Sequence, residues 1–146
     1  MASDGHSLQG RWALILGASS GFGAAAAVGL ARAGLNIFGV HLDMRATLPN
    51  AQRVVAEIEG LGRRAVFMNM NAADHAKRAA ALDKMQAVLA EPGEPGHIHL
   101  MLHSLAFGSL LPFIAPTPEE AISPAQMDMT LNVMAHSLVY WVQDLV

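Results

Sequence analysis

An apolar strand, a glycine turn and an alanine-rich helix follow one another without a break near the N-terminus. Residues 14–27 read LILGASSGFGAAAA. Gly17 and Gly21 permit a tight turn, and Gly23 lets the helix pack closely on the strand. A helix N-terminus presents free N–H groups and a positive dipole end, which attract phosphate. The segment therefore predicts a dinucleotide pyrophosphate site rather than an ordinary strand–turn–helix, and its predicted binding residues are Gly17, Ser19, Ser20, Gly21, Phe22 and Gly23.

The composition favours a sheet that is buried on both faces. Apolar residues make up 53% of the chain and charged residues 14%, where soluble domains usually carry roughly 25% charged residues. Parallel strands with both faces covered are continuous apolar runs, which produces such a balance. A large subunit interface, or a part of the protein outside these residues, would produce the same excess of apolar residues. The length of 146 residues is that of one domain.

Charge and cysteine content exclude several classes of function. The net charge is −3, and the nine basic residues form no stripe, which argues against a nucleic-acid partner. The chain has no cysteine, so disulfides and thiol catalysis are excluded. The first seven residues lack the features of a signal peptide, and the longest apolar region, 98–115, is interrupted by histidine, glycine and proline. We expect a soluble, cytoplasmic protein with no membrane partner.

Strand and helix patterns alternate along the chain. Asp74 is a candidate helix cap, and Ser123 with Gln126 matches a capping box. Repeated strand–helix order predicts right-handed crossovers and an α/β, doubly wound parallel sheet in the order 3-2-1-4. The predicted strands are 11–16, 35–40, 65–70 and 98–102, and the predicted helices are 21–33, about 51–61, 74–89 and 124 to the chain end.

The spacing Gly17-x-x-x-Gly21-x-Gly23 and the lead-in LQGRWALIL at 8–16 resemble the short-chain dehydrogenase/reductase family. The resemblance covers the N-terminal part of that family's usual length. It implies a Rossmann-type fold and an NAD(P)H-dependent oxidoreductase acting on a small-molecule substrate, either a carbonyl compound or an unsaturated acyl thioester. It also implies a homo-oligomer, because the family pairs long helices across subunits.

Three further positions carry the resemblance. Asn71 and Ala72 stand where the family places the residues beside the adenine. His103-Ser104-Leu105-Ala106 replaces the usual Asn-Asn-Ala-Gly and is similar to the enoyl-acyl-carrier-protein reductase branch, although the regular glycine motif also suits a keto- or alcohol-handling reductase. Asn132 matches the helix asparagine that supports a proton-relay water, which implies a catalytic-network role.

Cofactor preference depends on which position is aligned after the second strand. Asp43 lies twenty residues after Gly23, the spacing of a carboxylate on the adenosine ribose, which favours NAD. When the family pattern is counted instead from Gly34 and the second strand, His41 stands where the family places the acidic residue that discriminates between NAD and NADP. His41 and Arg45 could then face the 2′-phosphate of NADP. We expect NADP, with NAD as the alternative.

The family's catalytic pair is absent from these residues. Its chemistry needs a tyrosine with a lysine four residues later, which lowers the tyrosine pKa. The only tyrosine is Tyr140, and Asp144 stands four residues on, so we predict that Tyr140 is not catalytic. We expect residues 1–146 to be an NAD(P)-binding domain truncated before the Tyr-x-x-x-Lys segment, without the C-terminal strands. The alternatives are a non-catalytic NADP(H)-binding module and an S-adenosylmethionine-dependent methyltransferase.

Two further groups of residues are interpreted as structural and not as functional. His97, His99 and His103 share strand parity, but with no cysteine or nearby carboxylate we interpret them as packing residues and expect no metal site. Four methionines, Met101, Met127, Met129 and Met134, are interpreted as core filler.

Overall fold

The structure is a computed structural model that describes residues 7–146. The expectation about a signal peptide concerns residues 1–7, of which residues 1–6 lie outside the described part. The chain divides into two compact units, residues 1–104 and 105–146. Within residues 7–146, no helix is both long and apolar enough to span a bilayer.

The first unit is a four-stranded parallel sheet with the strand order β3-β2-β1-β4, which confirms the predicted topology. The second strand ends at His41, one residue later than predicted, and the second helix begins three residues before Ala51 because Pro49 is favourable in a first helical turn. The strands are β1 (Trp12–Leu16), β2 (Asn36–His41), β3 (Ala65–Asn69) and β4 (Ile98–His103), and the helices are α1 (Gly21–Arg32), α2 (Leu48–Gly60) and α3 (His75–Leu89).

The core of this unit lies around β1 and β2, in which every residue is buried. The small residues Ala27 and Ala31 on α1 allow the helix to pack closely, and Val54 and Ile58 are buried on α2. Each fully buried aliphatic side chain contributes about 1.5–3 kcal/mol relative to an exposed one. The continuous apolar strands therefore hold the glycine turn on a rigid base.

An irregularity in β4 corrects the prediction about histidine parity. Trp12 pairs with Ile98 and Ala13 pairs with Leu100, so His99 is an extra residue in the ladder. Such a bulge reverses the alternation of side chains along the strand. The Nδ1 atom of His99 lies 3.0 Å from the guanidinium of Arg11. No group of three or more potential metal ligands is found among residues 7–146.

The second unit contains a short 3₁₀ turn at Pro118–Glu120, then α4 (Pro124–Leu131), a π-helical turn (Asn132–His136) and α5 (Ser137–Leu145). The predicted capping box is confirmed: the Ser123 N–H donates to Gln126 Oε1 at 2.9 Å, and the Gln126 N–H donates to Ser123 Oγ at 3.3 Å. The predicted helix from residue 124 to the chain end is helical through residue 145, but the π turn within it changes the hydrogen-bonding pattern from i→i+4 to i→i+5. No proline or glycine in the segment signals it.

The prediction that the methionines fill the core is wrong for three of the four. Met127, Met129 and Met134 are 42%, 36% and 43% exposed. The buried residues of this stretch are Val133, Ser137 and Trp141, which recur every four residues, so the methionines lie on other faces. Met101, on β4, is half-buried.

Candidate functional site

The carboxyl ends of the four strands meet at one edge of the sheet. Ligands of open α/β sheets bind in the crevice outside these ends. The last residues of the strands and the turns that follow them carry all of the predicted cofactor-binding residues of the first unit: Gly17, Ser19, Ser20, Gly21, Phe22 and Gly23, then His41, Asp43 and Arg45, then Asn71 and Ala72, then His103 and Ser104.

The glycine turn has the backbone geometry that its sequence predicts. Gly17 and Gly21 adopt φ angles of +91° and +55°, which side chains with a Cβ disfavour. The N–H groups of Gly17 and Ala18 donate to the carbonyl of Val40 at 2.8 and 3.0 Å, which holds the turn to β2. A Cβ on Gly23 would overlap the carbonyl oxygen of Gly17. The start of α1 therefore lies directly against the turn.

The N-terminus of α1 has no side-chain cap. Ser20 stands at the N-cap in extended conformation, makes no capping hydrogen bond, and no acidic residue lies in the first turn. By contrast, Asp74 caps α3 by accepting from the Lys77 N–H at 2.9 Å. The helix α2 also lacks a side-chain cap, but it has proline in its first turn. The first N–H groups of α1 are thus left for an anion from outside the helix. This helix end is open to solvent, because Ser20 and Gly21 are exposed and Phe22 is 90% exposed.

Asp43 forms a buried pair with His41, the last residue of β2. His41 Nδ1 lies 2.7 Å from Asp43 Oδ2, and the two side chains are only 4% and 9% exposed. Burial raises the pKa of Asp43, but hydrogen bonding and the electrostatic effect of neighbouring His41 outweigh it, so this pKa lies below its usual value of 3.8. Asp43 is therefore ionised at neutral pH, whereas Arg45 is exposed.

Asn69 is a residue of this region that the sequence reasoning missed. Its Oδ1 accepts a hydrogen bond from the Asp43 N–H, and its Nδ2 donates to the Asp43 carbonyl, both at 2.9 Å. The parallel register, in which His41 pairs with Asn69, brings the amide to this position. A polar residue at the end of an otherwise apolar strand was the available signal, but its partner depends on the register.

The segment after β3 forms a tight turn. Asn71 Oδ1 accepts from the N–H of Ala73 at 2.9 Å, and Ala72 is 5% exposed. The Met70 N–H donates to the His41 carbonyl at 2.7 Å. Asn71 and Ala72 therefore lie beside the end of β2.

The end of β4 adjoins the glycine turn. The Ser104 N–H donates to the Leu16 carbonyl at 2.8 Å, and the Ser104 Cβ would lie 3.5 Å from a Cβ on Gly23. Burial lowers the pKa of His103 below its usual value of 6.5, so its imidazole is neutral at pH 7. A neutral imidazole can both donate and accept a hydrogen bond.

Two predicted site residues, Leu105 and Asn132, belong to the second unit. Leu105 is half-buried. Asn132 begins the π turn, and its Oδ1 accepts a hydrogen bond from the Tyr140 hydroxyl at 3.1 Å. The sequence reasoning did not foresee this pair, because the two residues are eight positions apart in a helix that the π turn interrupts.

Comparisons with known proteins agree with this architecture. A family model described as short chain dehydrogenase matches residues 11–146. An L-rhamnose 1-dehydrogenase (NAD(P)(+)) from a Sphingomonas species is 42% identical over 67 residues, which cover 46% of this chain and 25% of that protein.

Among solved structures, a short chain dehydrogenase from Burkholderia cenocepacia in complex with NADP is 29% identical, with a TM-score of 0.71 over 94% of this chain and 50% of that chain. L-sorbose reductase from Gluconobacter frateurii, complexed with NADPH and L-sorbose, shares the fold with a TM-score of 0.74 at 20% identity, over 95% of this chain and 47% of that chain. The chain spans about half the length of these two structures. Since the family match extends over residues 11–146, the chain belongs to the short-chain dehydrogenase family.

Proposed function

We propose that residues 1–146 form the dinucleotide-binding part of an NAD(P)-dependent oxidoreductase whose tyrosine and lysine lie outside these residues. The observation that carries this proposal is the start of α1, which has no side-chain cap and packs against the glycine turn through Gly23. A dinucleotide pyrophosphate supplies the anion that such a helix end lacks. The bound nicotinamide donates or accepts a hydride.

Each segment at the sheet edge has a proposed role. The glycine turn and the first turn of α1, with Gly17, Ser19, Ser20, Gly21, Phe22 and Gly23, hold the pyrophosphate. Asn71 and Ala72 lie beside the adenine. His103, Ser104 and Leu105 line the nicotinamide and its ribose, and Asn132 belongs to the proton-relay network. The neutral His103 can hydrogen-bond there without adding a positive charge.

NADP is the preferred cofactor in this proposal, and NAD is the second candidate. The last residue of β2 is His41 and not a carboxylate. The carboxylate of Asp43, two residues later, is 9% exposed and is already paired with His41 within the protein. Exposed Arg45 is then available to a 2′-phosphate. A similar structure is the NADP complex of the Burkholderia enzyme, and the Sphingomonas relative is named for both cofactors.

Two substrate classes are supported by different observations. His103-Ser104-Leu105-Ala106 favours an unsaturated acyl thioester, as in enoyl-acyl-carrier-protein reductases. The names of the Sphingomonas and Gluconobacter proteins favour a sugar carbonyl or alcohol. Parallel assays of the product of the complete reading frame, with an enoyl thioester and with a series of sugars, decide between them. Cofactor binding without turnover of either class would support the non-catalytic module instead.

We further propose that the protein is a homo-oligomer in the cytoplasm. Leu131, Met134 and Leu138 are 51%, 43% and 42% exposed along the C-terminal helices, and apolar surface of this kind is typical of subunit contacts. Size-exclusion chromatography with light scattering tests the oligomeric state. The absence of cysteine is in keeping with a reducing compartment.

Calorimetric titration of the 146-residue chain with NADPH, NADH and S-adenosylmethionine tests the binding proposal. We expect saturable binding of NADPH that S-adenosylmethionine does not displace. Displacement by S-adenosylmethionine would support the methyltransferase alternative. A folded chain that binds neither dinucleotide would overturn the proposed function.

A further inference from the structure

The carboxylate of Asp43 is largely buried and is paired within the protein. Its Oδ2 lies 2.7 Å from Nδ1 of His41, and the Asp43 side chain is 9% exposed. The low exposure of this side chain and its pairing with His41 leave the carboxylate little access to the two hydroxyls of a ribose.

The backbone of the same residue is held separately. Asn69, at the end of β3, accepts from the Asp43 N–H and donates to the Asp43 carbonyl, both at 2.9 Å. Any rotation of the peptide groups around Asp43 breaks at least one of these bonds. Side chain and main chain are thus fixed by residues from two neighbouring strands, His41 on β2 and Asn69 on β3.

These contacts connect the end of β2 with the glycine turn. The Val40 carbonyl accepts hydrogen bonds from the N–H groups of Gly17 and Ala18. Ser19, the next residue of the turn, is itself only 8% exposed. A displacement of the end of β2 would therefore reach the turn proposed to hold the pyrophosphate.

We propose that Asp43 is a positioning residue of the dinucleotide site and not a ligand of the adenosine ribose. Together with His41 and Asn69, it holds the segment after β2 against the glycine turn, and so supports NAD and NADP binding alike. This inference rests on the proposed function. It differs from the usual arrangement, in which an acidic residue after the second strand hydrogen-bonds the ribose hydroxyls and selects NAD.

The test compares dissociation constants for NADPH and NADH in four variants of the chain. Asp43→Ala removes the carboxylate, Asp43→Asn keeps an oxygen that accepts from His41, and Asn69→Ala removes the backbone contact. Asp83→Ala, on the exposed side of α3, is the control because it removes the same charge elsewhere. Hydrogen bonds to a charged group are strong enough that losing them corresponds to about a tenfold change in binding or more.

For a positioning residue, Asp43→Ala and Asn69→Ala weaken both cofactors about tenfold and leave the ratio of the two constants unchanged. Asp43→Asn stays close to the wild type, and so does Asp83→Ala. For a ribose ligand, Asp43→Ala weakens NADH binding and strengthens NADPH binding, which changes the ratio; that result overturns the inference and leaves the proposed function intact. Wild-type protein that binds neither cofactor overturns the proposed function itself. If Asp43→Ala does not fold by circular dichroism, Asp43→Asn and Asn69→Ala decide: a changed ratio in either one contradicts the inference.

Discussion

Two glycines of the same helix should respond in opposite directions to replacement by alanine. Gly23 and Gly29 both lie in α1. A Cβ on Gly23 would overlap the backbone carbonyl of Gly17, whereas a Cβ on Gly29 would meet nothing within 4 Å. Both substitutions gain the same helix propensity, about 1 kcal/mol. Any difference in stability between the variants therefore measures the close approach of helix and turn.

The cost at Gly23 follows from the kind of atom that the Cβ meets. Overpacking costs about 1–3 kcal/mol, and the upper end applies because a backbone carbonyl cannot swing aside as a flexible side chain does. Gly29→Ala should therefore gain about 1 kcal/mol, and Gly23→Ala should lose about 2 kcal/mol, the overpacking cost less the propensity gain. A difference of about 3 kcal/mol corresponds to roughly 6–12 °C in Tm for a chain of this size.

Thermal and urea unfolding of the two variants, followed by circular dichroism, measures the difference. NADPH titration supplies a second readout, in which Gly23→Ala loses affinity and Gly29→Ala does not. Equal stabilities for the two variants would refute the reasoning, because the turn would then have room for a Cβ that the structure denies it.

Three further substitutions test other parts of the structure. Tyr140→Phe removes the hydrogen bond to Asn132 and should cost about 0.5–1.5 kcal/mol in urea unfolding; an unchanged midpoint would contradict that contact. Ser123→Ala removes the capping-box acceptor of α4 and should cost about 1 kcal/mol, with lower helicity by circular dichroism. The pKa of His103 is lowered by burial, so the unfolded chain binds more protons and stability falls as the pH drops through 6.5 toward the folded pKa. His103→Gln should remove the loss of stability at low pH that His103 causes. Parallel stability profiles for wild type and variant between pH 8 and pH 5 would exclude this contribution of His103.

Much of the fold could be predicted because its signals are local. The glycine turn, the Asp74 cap and the capping box at Ser123 each depend on residues within a few positions of one another. Continuous apolar strands alternating with helices then allow few topologies, since parallel crossovers are right-handed. The order 3-2-1-4 was therefore within reach of the sequence, and so were the segments that meet at the carboxyl edge of the sheet.

Only the tertiary structure decided what the polar residues at that edge contact. Spacing along the chain suggested Asp43 and His41 as competing candidates for one role, whereas the folded chain pairs them with each other at 2.7 Å. The parallel register of β2 and β3 brought in Asn69, which local spacing cannot reveal. The extra residue at His99 likewise depends on pairing across strands. Short-range patterns specify turns, caps and elements, but a hydrogen bond between residues 26 positions apart, as between Asp43 and Asn69, exists only once the strands have paired.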